Sequence, residues 1–534
     1  MPPTVLATKD WSASSVTNFS KAQSVRKPAT ISKNGIVAAQ HRRAAEIGAE
    51  VLAAGGDALD AATAVSFAIG VLEPWMSGPA GGGAMMVWRA DEARPYAVTY
   101  GMRSPQGLDP TDYPLSGEGV AGDLFPWKRV TEDRNLEGAK AVAVPGVVDG
   151  IGIAHARWGR MPWRDLVSPA AALARKGLQV DWYAGLIIAS TARALSRDPD
   201  AAALFLEDGI WPPVGAWTAL SDIRLPFDRM ADTLEAIARN GPREMHDGDV
   251  ARALARDVAD KGGSLAYEDL SSYRATITDP LSFEGFGGRF HVTPTLTAGP
   301  TFADAFSRLE AMGTSSDDGE QRVSMANALT EANRDRFARM GDHESPTAPG
   351  STTHFSIVDR HGNMVAMTQT LLSVFGSKVV SPSTGLLLNN GIMWFDPEQG
   401  RPNSLQPGKR CLMNVCPVIG ERDGRRFALG ASGGRKILPA VAQLSHRLLA
   451  LGEDLETAFH APRIDVSGGE TIIADVTLSD EALQQLAANH TVHTAERLPF
   501  PYAFACPAGV MREGEINSGA TEPSSPWGDA VAAV

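Results

Sequence analysis

Residues 351–372 read Ser351-Thr352-Thr353-His354-Phe355-Ser356-Ile357-Val358, then Asp359-Arg360-His361-Gly362-Asn363, then Met364-Val365-Ala366-Met367-Thr368-Gln369-Thr370-Leu371-Leu372. Two alternating runs around a cluster of turn formers predict a pair of strands joined by a tight turn. Successive strand side chains point to opposite faces, so Thr352, His354 and Ser356 share one face, and Thr353, Phe355 and Ile357 the other. Ahead of them DHESPTAPGS (342–351) is polar and rich in Pro and Gly. A loop therefore delivers the chain to a threonine at the start of a strand.

Working outward, the helical stretch VSMANALTEANRDRFARM (323–340) precedes that loop, and GTSSDDGEQ (313–321) reads as a mobile linker before it. Residues 162–312 read mostly as amphipathic helix. Nearer the N-terminus, GIVAAQ (35–40) predicts a short strand, followed by a helix through Ala44, Ile47, Val51 and Leu52 that Gly55 and Gly56 stop. Asp57 caps a second helix with Leu59, Ala62, Val65, Ile69 and Leu72 on one stripe, and Pro74 closes it. GPAGGGAMMVW (78–88) is a glycine-dense turn running into a strand, with 94–100 as its partner. No internal repeat is present. The first 30 or so residues are expected to be loose.

The chain has 534 residues, 43% of them hydrophobic, enough for three or four domains or one large fold. With 49 Lys and Arg against 62 Asp and Glu, the net charge of -13 repels phosphate backbones and anionic lipid. Neither nucleic acid nor membrane is an expected partner. Cys411, Cys416 and Cys506 are odd in number, which suits a reducing compartment and buried thiols better than a disulfide framework. The N-terminal stretch lacks a basic region followed by a continuous apolar one, so the expected location is cytoplasmic. No uninterrupted apolar run approaches the ~18 to 20 residues that span a bilayer. The histidines are scattered without HExxH or CxxC spacing, so neither a metal nor another cofactor is expected.

A threonine hydroxyl is a poor nucleophile until a base takes its proton, and a free α-amine on the same residue is such a base. With a pKa near ~8, that amine can accept the proton and return it to a leaving amine. Only an N-terminal Thr has this arrangement, so cleavage before Thr352 would have to precede activity. The plain alternative makes Thr352 and Thr353 ordinary β-branched strand residues; the loop ahead of them and the motifs around them favour the nucleophile.

Taken together, AAEIGAEVLAAGGDALDAATAVSFAIGVLEP (44–74), GPAGGGAMMVW, AVAVPGVVDGIGIAHARWG (141–159), STTHFSIVDRHGNMVAMTQT (351–370), LLLNN (386–390) and GASGGRK (430–436) resemble, in content and order, the γ-glutamyltranspeptidase family of N-terminal-nucleophile hydrolases. The resemblance implies an α/β (α+β) chain folded as a four-layer αββα sandwich. It also implies a cut between Ser351 and Thr352 that leaves a large subunit, 1–351, and a small one, 352–534, packed as one unit. Thr370, on the returning strand, would assist Thr352 by hydrogen bonding. The backbone N–H groups of Gly433 and Gly434 are candidates for holding the oxyanion, because glycine lets the backbone approach closely. GASGGRK is not a phosphate loop, since Lys436 is followed by Ile437 rather than Ser or Thr. His354 reads as structural rather than catalytic.

Specificity is where the resemblance weakens. After the Thr370 position the family usually has Leu-Asn, here Leu371-Leu372; after LLLNN it usually has Gln-Met-Asp-Asp-Phe, here Gly391-Ile392-Met393-Trp394-Phe395. Leu372, Gly391 and Trp394 thus replace groups that would hold a γ-glutamyl ammonium, and no side chain among them accepts a hydrogen bond. The family's carboxylate-binding arginine corresponds to Gly101, with Arg103 two residues on, and its paired serines become Met413 and Asn414. Arg103, Asn414 and Arg435 could still grip a smaller acid. The loop 396–409 is also short for a lid, which favours water over an acceptor amine. The segment NNGIMWFDP (389–397) resembles that of family members that look like amidohydrolases for small amides such as oxamate. The expected reaction is therefore hydrolysis of a compact, carboxylate-bearing amide, with water and a small molecule as the only external partners; a higher oligomer is compatible with it. A true γ-glutamyltransferase or glutathione hydrolase is the first alternative. An unprocessed, non-catalytic binding protein is the alternative of another class.

Overall fold

A computed structural model describes residues 25–120, 127–215, 222–313, 315, 317–340, 351–467 and 471–534. The leader up to residue 24 and the loop through residue 350 lie outside the described residues. Fourteen strands form two seven-stranded sheets. In chain order they are β1 (Thr30–Ser32), β2 (Ile36–Ala39), β3 (Gly82–Arg89), β4 (Arg94–Tyr100), β5 (Thr276–Thr278), β6 (Leu281–Gly285), β7 (Gly288–Val292), β8 (Ser351–Val358), β9 (Met364–Leu372), β10 (Val418–Arg422), β11 (Arg425–Ser432), β12 (Cys506–Glu513), β13 (Ile516–Thr521) and β14 (Asp529–Ala532). The first sheet runs β1-β13-β12-β11-β10-β7-β6 and the second β14-β2-β8-β9-β3-β4-β5. The pairing is antiparallel throughout both, which makes the class α+β. Each sheet takes strands from both sides of the Ser351–Thr352 bond.

Three layers of apolar side chains separate four layers of backbone. Between the sheets lie Ala38, Met86, Ala366, Ile419, Ala428 and Val510. The outer face of the second sheet, through Val37, Val87, Phe355, Ile357, Val365 and Met367, packs on the helices α1 (Arg42–Ala53), α2 (Ala58–Leu72) and α3 (Val147–Trp158). The outer face of the first sheet, through Phe290, Val292, Phe427 and Leu429, packs on α4 (Gly299–Ala311), α5 (Asp318–Arg339) and α6 (Ile437–Leu449). The result is the expected αββα sandwich. The strand alternation survives in it: Phe355 and Ile357 of β8 face the helices, while His354 and Ser356 face the other sheet.

Local chemistry explains the elements around β8. Asp57 forms a capping box with Asp60 at the start of α2, a device that contributes about 1 kcal/mol, and it pairs with the buried Arg89 at 2.7 Å. In the turn after β8, Asp359 Oδ1 accepts from the N–H groups of His361 (2.8 Å) and Asn363 (3.0 Å). Its other oxygen accepts from Ala58 N at the start of α2, 3.2 Å away.

Two expectations need correction. The middle of the chain is helical over Trp163–Lys176, Trp182–Leu195, Asp228–Asn240 and Asp249–Asp260, but residues 276–292 form β5, β6 and β7. These strands are short, and β5 and β6 are edge strands with β7 next to β6; runs of three to five residues are hard to distinguish from a helix stripe. The linker is also shorter than expected: Asp317 caps α5, accepting from Glu320 N at 2.8 Å, so residues 318–321 are helical. Among the described residues no helix is long and apolar enough to cross a membrane.

Candidate active site

Thr352 is the second residue of β8 and 2% exposed. The β8–β9 register is regular from Val358↔Met364 to Thr353↔Gln369, then shifts before Ser351↔Leu372. One residue of β8, Thr352, thus stands opposite two of β9, Thr370 and Leu371. Such a bulge bends a strand and re-aims a side chain, and it is common beside active sites. Leu372 adopts φ 89°, and its N–H donates to Thr370 Oγ1 over 2.8 Å, fixing that hydroxyl at the irregularity. On its other side Thr370 pairs with Gly82, and a Cβ on Gly81 would lie 2.3 Å from the Thr370 carbonyl oxygen. Only glycine allows that approach, which accounts for the dense turn before β3.

The two asparagines of LLLNN are clamps. Asn389 accepts from Ala143 N (3.0 Å) and Gly391 N (2.8 Å) and donates to the carbonyls of Ala80 (2.9 Å) and Ala143 (2.8 Å). Asn390 accepts from Ser373 N at 2.9 Å and donates to Leu136 O at 3.0 Å. Between them they tie the end of β9 to the turn before β3.

His354 lies between the sheets, its ring nitrogens 2.8 Å from Thr368 Oγ1 and 2.9 Å from Ser356 Oγ. Burial lowers its pKa to about 3, so it is a neutral pillar. Thr353, on the opposite face, belongs to a polar cluster the sequence did not single out. Its Oγ1 is 3.0 Å from Glu73 Oε2 and 3.1 Å from Gln40 Oε1; Gln40 Nε2 donates to Ser432 Oγ (2.7 Å) and Cys506 O (2.7 Å); Ser432 Oγ is 3.0 Å from Tyr502 Oη. Burial raises the Glu73 pKa to about 7, against the opposing hydrogen bond of Thr353. A cleft lined in part by Gln40, Glu73, Trp75, Tyr183, Tyr502 and Trp527 adjoins this cluster. The only sequence signal for Glu73 was a charge inside the apolar run VLEPW.

Ser432 ends β11 and leads into Gly433, at φ 127°, and Gly434, at φ 64°. A Cβ on Gly433 would sit 3.0 Å from the Ala505 Cα. The turn Gly434–Lys436 then opens directly into α6, whose N-terminal end carries partial positive charge.

The specificity residues separate into two groups. Leu372, Trp394 and Met413 join Met102, Ile392 and Phe395 in one apolar cluster, and Gly391, also buried, opens the turn Gly391–Trp394. Trp394 is 1% exposed, and its indole N–H has no hydrogen-bond partner among the described residues. Asn414, next to Met413, offers its Oδ1 to the buried guanidinium of Arg336 at 3.2 Å, and its Nδ2 is buried without a partner among the described residues. The Arg103 guanidinium turns to the short helix Tyr267–Ser272, donating to Asp269 O (3.2 Å) and Ser272 Oγ (2.8 Å). Arg435 is half-buried, and burial lowers its pKa against the attraction of Asp465. Arg336 was invisible in the sequence, being one of several arginines on a charged helix.

A sequence model of the Gamma-glutamyltranspeptidase family matches residues 44–350 and 343–530. The chain is 32% identical over 516 residues to the Acylase ACY 1 proenzyme of Pseudomonas sp. (strain V22), covering 89% of each. It is 30% identical over 496 residues to the Glutathione hydrolase proenzyme of Bacillus subtilis (strain 168), covering 82% of this chain and 81% of that one. A cephalosporin acylase from Bacillus halodurans shares the fold, with a TM-score of 0.81 at 23% identity over 96% of this chain and 98% of that one.

Proposed function

The chain belongs to the gamma-glutamyltranspeptidase family, and from that premise we propose that it is a self-processing amide hydrolase whose nucleophile is Thr352. In the first step the Thr352 hydroxyl attacks the carbonyl of Ser351; the peptide C–N bond breaks, which frees the Thr352 α-amine and leaves an ester on its oxygen, and water then hydrolyses that ester to the Ser351 carboxylate and the free Thr352 hydroxyl. The names of the acylase and glutathione hydrolase relatives, both proenzymes, support such a step. The products, 1–351 and 352–534, would stay together because both sheets draw strands from each.

In turnover the freed amine takes the hydroxyl proton as Thr352 attacks an amide carbonyl. It returns that proton to the departing amine, leaving an acyl ester that water then cleaves. Thr370, with its hydroxyl fixed across the bulge, would align the nucleophile. The N–H groups of Gly433 and Gly434 would hold the oxyanion, where losing one donor typically costs about 3 kcal/mol.

For the substrate we propose a small amide bearing a carboxylate, of which oxamate is an example. The single observation that carries this reading is that Leu372 and Trp394, in the apolar cluster after β9, and the buried Gly391 beside them bring no side-chain acceptor to the positions where the family would hold an ammonium. An ammonium left there without partners would cost several kcal/mol. The unpartnered donors on Trp394 and Asn414 suit an anion instead. A γ-glutamyl amide is the second reading, favoured by the likeness to the Bacillus subtilis glutathione hydrolase proenzyme. Mass spectrometry of matured protein, with parallel assays on oxamate and a γ-glutamyl anilide, tests both parts. The expected result is a fragment beginning at Thr352 and turnover of oxamate alone. Full activity without that fragment removes Thr352 from its role, and comparable turnover of the anilide restores the second reading.

A further inference from the structure

The cluster behind Thr353 contains more acceptors than an ionised Glu73 can satisfy. Gln40 Nε2 uses both its hydrogens, on Ser432 Oγ and on the carbonyl of Cys506. Because a carbonyl oxygen only accepts, the Gln40 amide cannot be flipped, and its Oε1 is the atom that faces Thr353. That oxygen needs a hydrogen, and Thr353 has one to give. Once the Thr353 hydrogen lies on Gln40, the 3.0 Å contact between Thr353 Oγ1 and Glu73 Oε2 needs a hydrogen from Glu73. A carboxylic acid completes every bond in the cluster, whereas a carboxylate leaves either Gln40 Oε1 or itself without a donor. Glu73 is 5% exposed and Gln40 4%, each meeting the adjoining cleft with little of its surface, so the bonds within the cluster carry most of their pairing.

The direction of donation is then the same from end to end: Glu73 to Thr353, Thr353 to Gln40, Gln40 to Ser432. Its first hydroxyl belongs to the residue after Thr352, and its last to the residue before Gly433. We infer that Glu73 works as a neutral hydrogen-bond donor and is a positioning residue, holding the nucleophile strand and the glycine turn in register through Thr353, Gln40 and Ser432. The burial that raises its pKa favours the same protonated form. A carboxylic acid kept neutral by an apolar site so that it can donate is an established device. This inference rests on the reading of Thr352 as nucleophile and of Gly433 as part of the oxyanion site.

Four variants of the full-length chain test it: Glu73→Gln, Glu73→Met, Thr353→Ser and Thr353→Val, each compared with the parent for self-cleavage rate, kcat, KM and thermal midpoint. Self-cleavage of the parent at Thr352 is established first; if it does not occur, the reading of the nucleophile fails and not the donor role. Gln keeps a donor without a charge, and Ser keeps the hydroxyl. Assayed below pH 7, where the parent also holds Glu73 protonated, both should retain kcat within about twofold, whereas Met and Val should lower it on the order of tenfold with KM nearly unchanged. The inference is overturned if Glu73→Gln is as impaired as Glu73→Met, because charge rather than a donated hydrogen is then required. It is equally overturned if Glu73→Met turns over at the parent rate. Should Glu73→Met fail to fold, the Thr353→Ser and Thr353→Val pair decides: equal kcat in those two removes the chain of donors from the reaction.

Discussion

Arg336 donates to Asn414 Oδ1 at 3.2 Å, and that contact determines which end of the amide faces away from the guanidinium. Arginine has only donors, so the amide oxygen must face it and the NH2 must point elsewhere. The remaining bonds of Arg336, to Thr297 O (2.8 Å), Thr301 Oγ1 (3.1 Å), Met413 O (2.9 Å) and the Met340 sulfur (4.0 Å), are also to neutral acceptors. At 3% exposure the cation is buried, and burial lowers its pKa only to about 10, so it stays charged at neutral pH. Positive potential and an unpartnered NH2 therefore lie together beside Met413 of the apolar cluster.

If that NH2 receives a substrate carboxylate, Asn414→Leu removes one hydrogen bond to a charged group, worth about 1.5–3 kcal/mol. KM for the carboxylate-bearing amide should rise roughly ten- to a hundredfold, with the uncharged methyl ester of the same amide unaffected. Steady-state assays on the two substrates decide it; equal changes in both would mean that Asn414 does not read the carboxylate.

Thr352→Ala should yield one uncut chain without activity, because alanine has no hydroxyl for either the self-cleavage or the turnover. The fold should survive: the site lies at the end of β8, whose core contacts come from Phe355 and Ile357. A denaturing gel after prolonged incubation is enough, and two bands from this variant would transfer the nucleophile to another residue.

Much of this was legible in the sequence, and the boundary has a physical cause. Local patterns gave α2 with its Asp57 cap, β3 after the glycine turn, and the β8–β9 hairpin, because each is encoded within about 20 consecutive residues. The bulge at Thr352 was not legible, since register is a property of two strands and not of one. Gln40 and Glu73 lie hundreds of residues before Ser432 and Tyr502, and nothing local marks them as one cluster. Arg103 illustrates the converse: its position in the sequence suggested a substrate-facing cation, and what the sequence did not show is that its Nη2 donates to Asp269 O and Ser272 Oγ.

Glu73 also makes stability depend on pH. Its carboxyl has an ordinary value of 4.5 and is raised to about 7 by burial, so between those limits the folded state binds more protons than the unfolded one. Stability from this group is fully present below 4.5 and is lost as pH rises through 7, a change on the order of 3 kcal/mol. In an uncut Thr352→Ala background, the thermal midpoint should fall over this range more steeply with Glu73 than with Glu73→Gln. Parallel curves would mean that Glu73 is ionised in the fold.

The rate of the mature enzyme should respond to two groups with opposite sign. The Thr352 amine must lose its proton to act as a base, so this limb rises as pH passes roughly 8. Glu73 must keep its proton to donate to Thr353, so this limb falls as pH passes about 7. Tyr183 and Cys506 lie close by, but burial pushes both upward, Cys506 to about 12, so neither changes charge in this range. The product of the two limbs is a low, narrow maximum between them, with only a fraction of the enzyme in the active form. Glu73→Gln abolishes the falling limb without removing the donor, so its kcat/KM should climb to a plateau above pH 8 and exceed the parent there. A parent profile that itself climbs to an alkaline plateau would show that ionised Glu73 supports turnover, leaving the amine as the one group whose titration governs the rate.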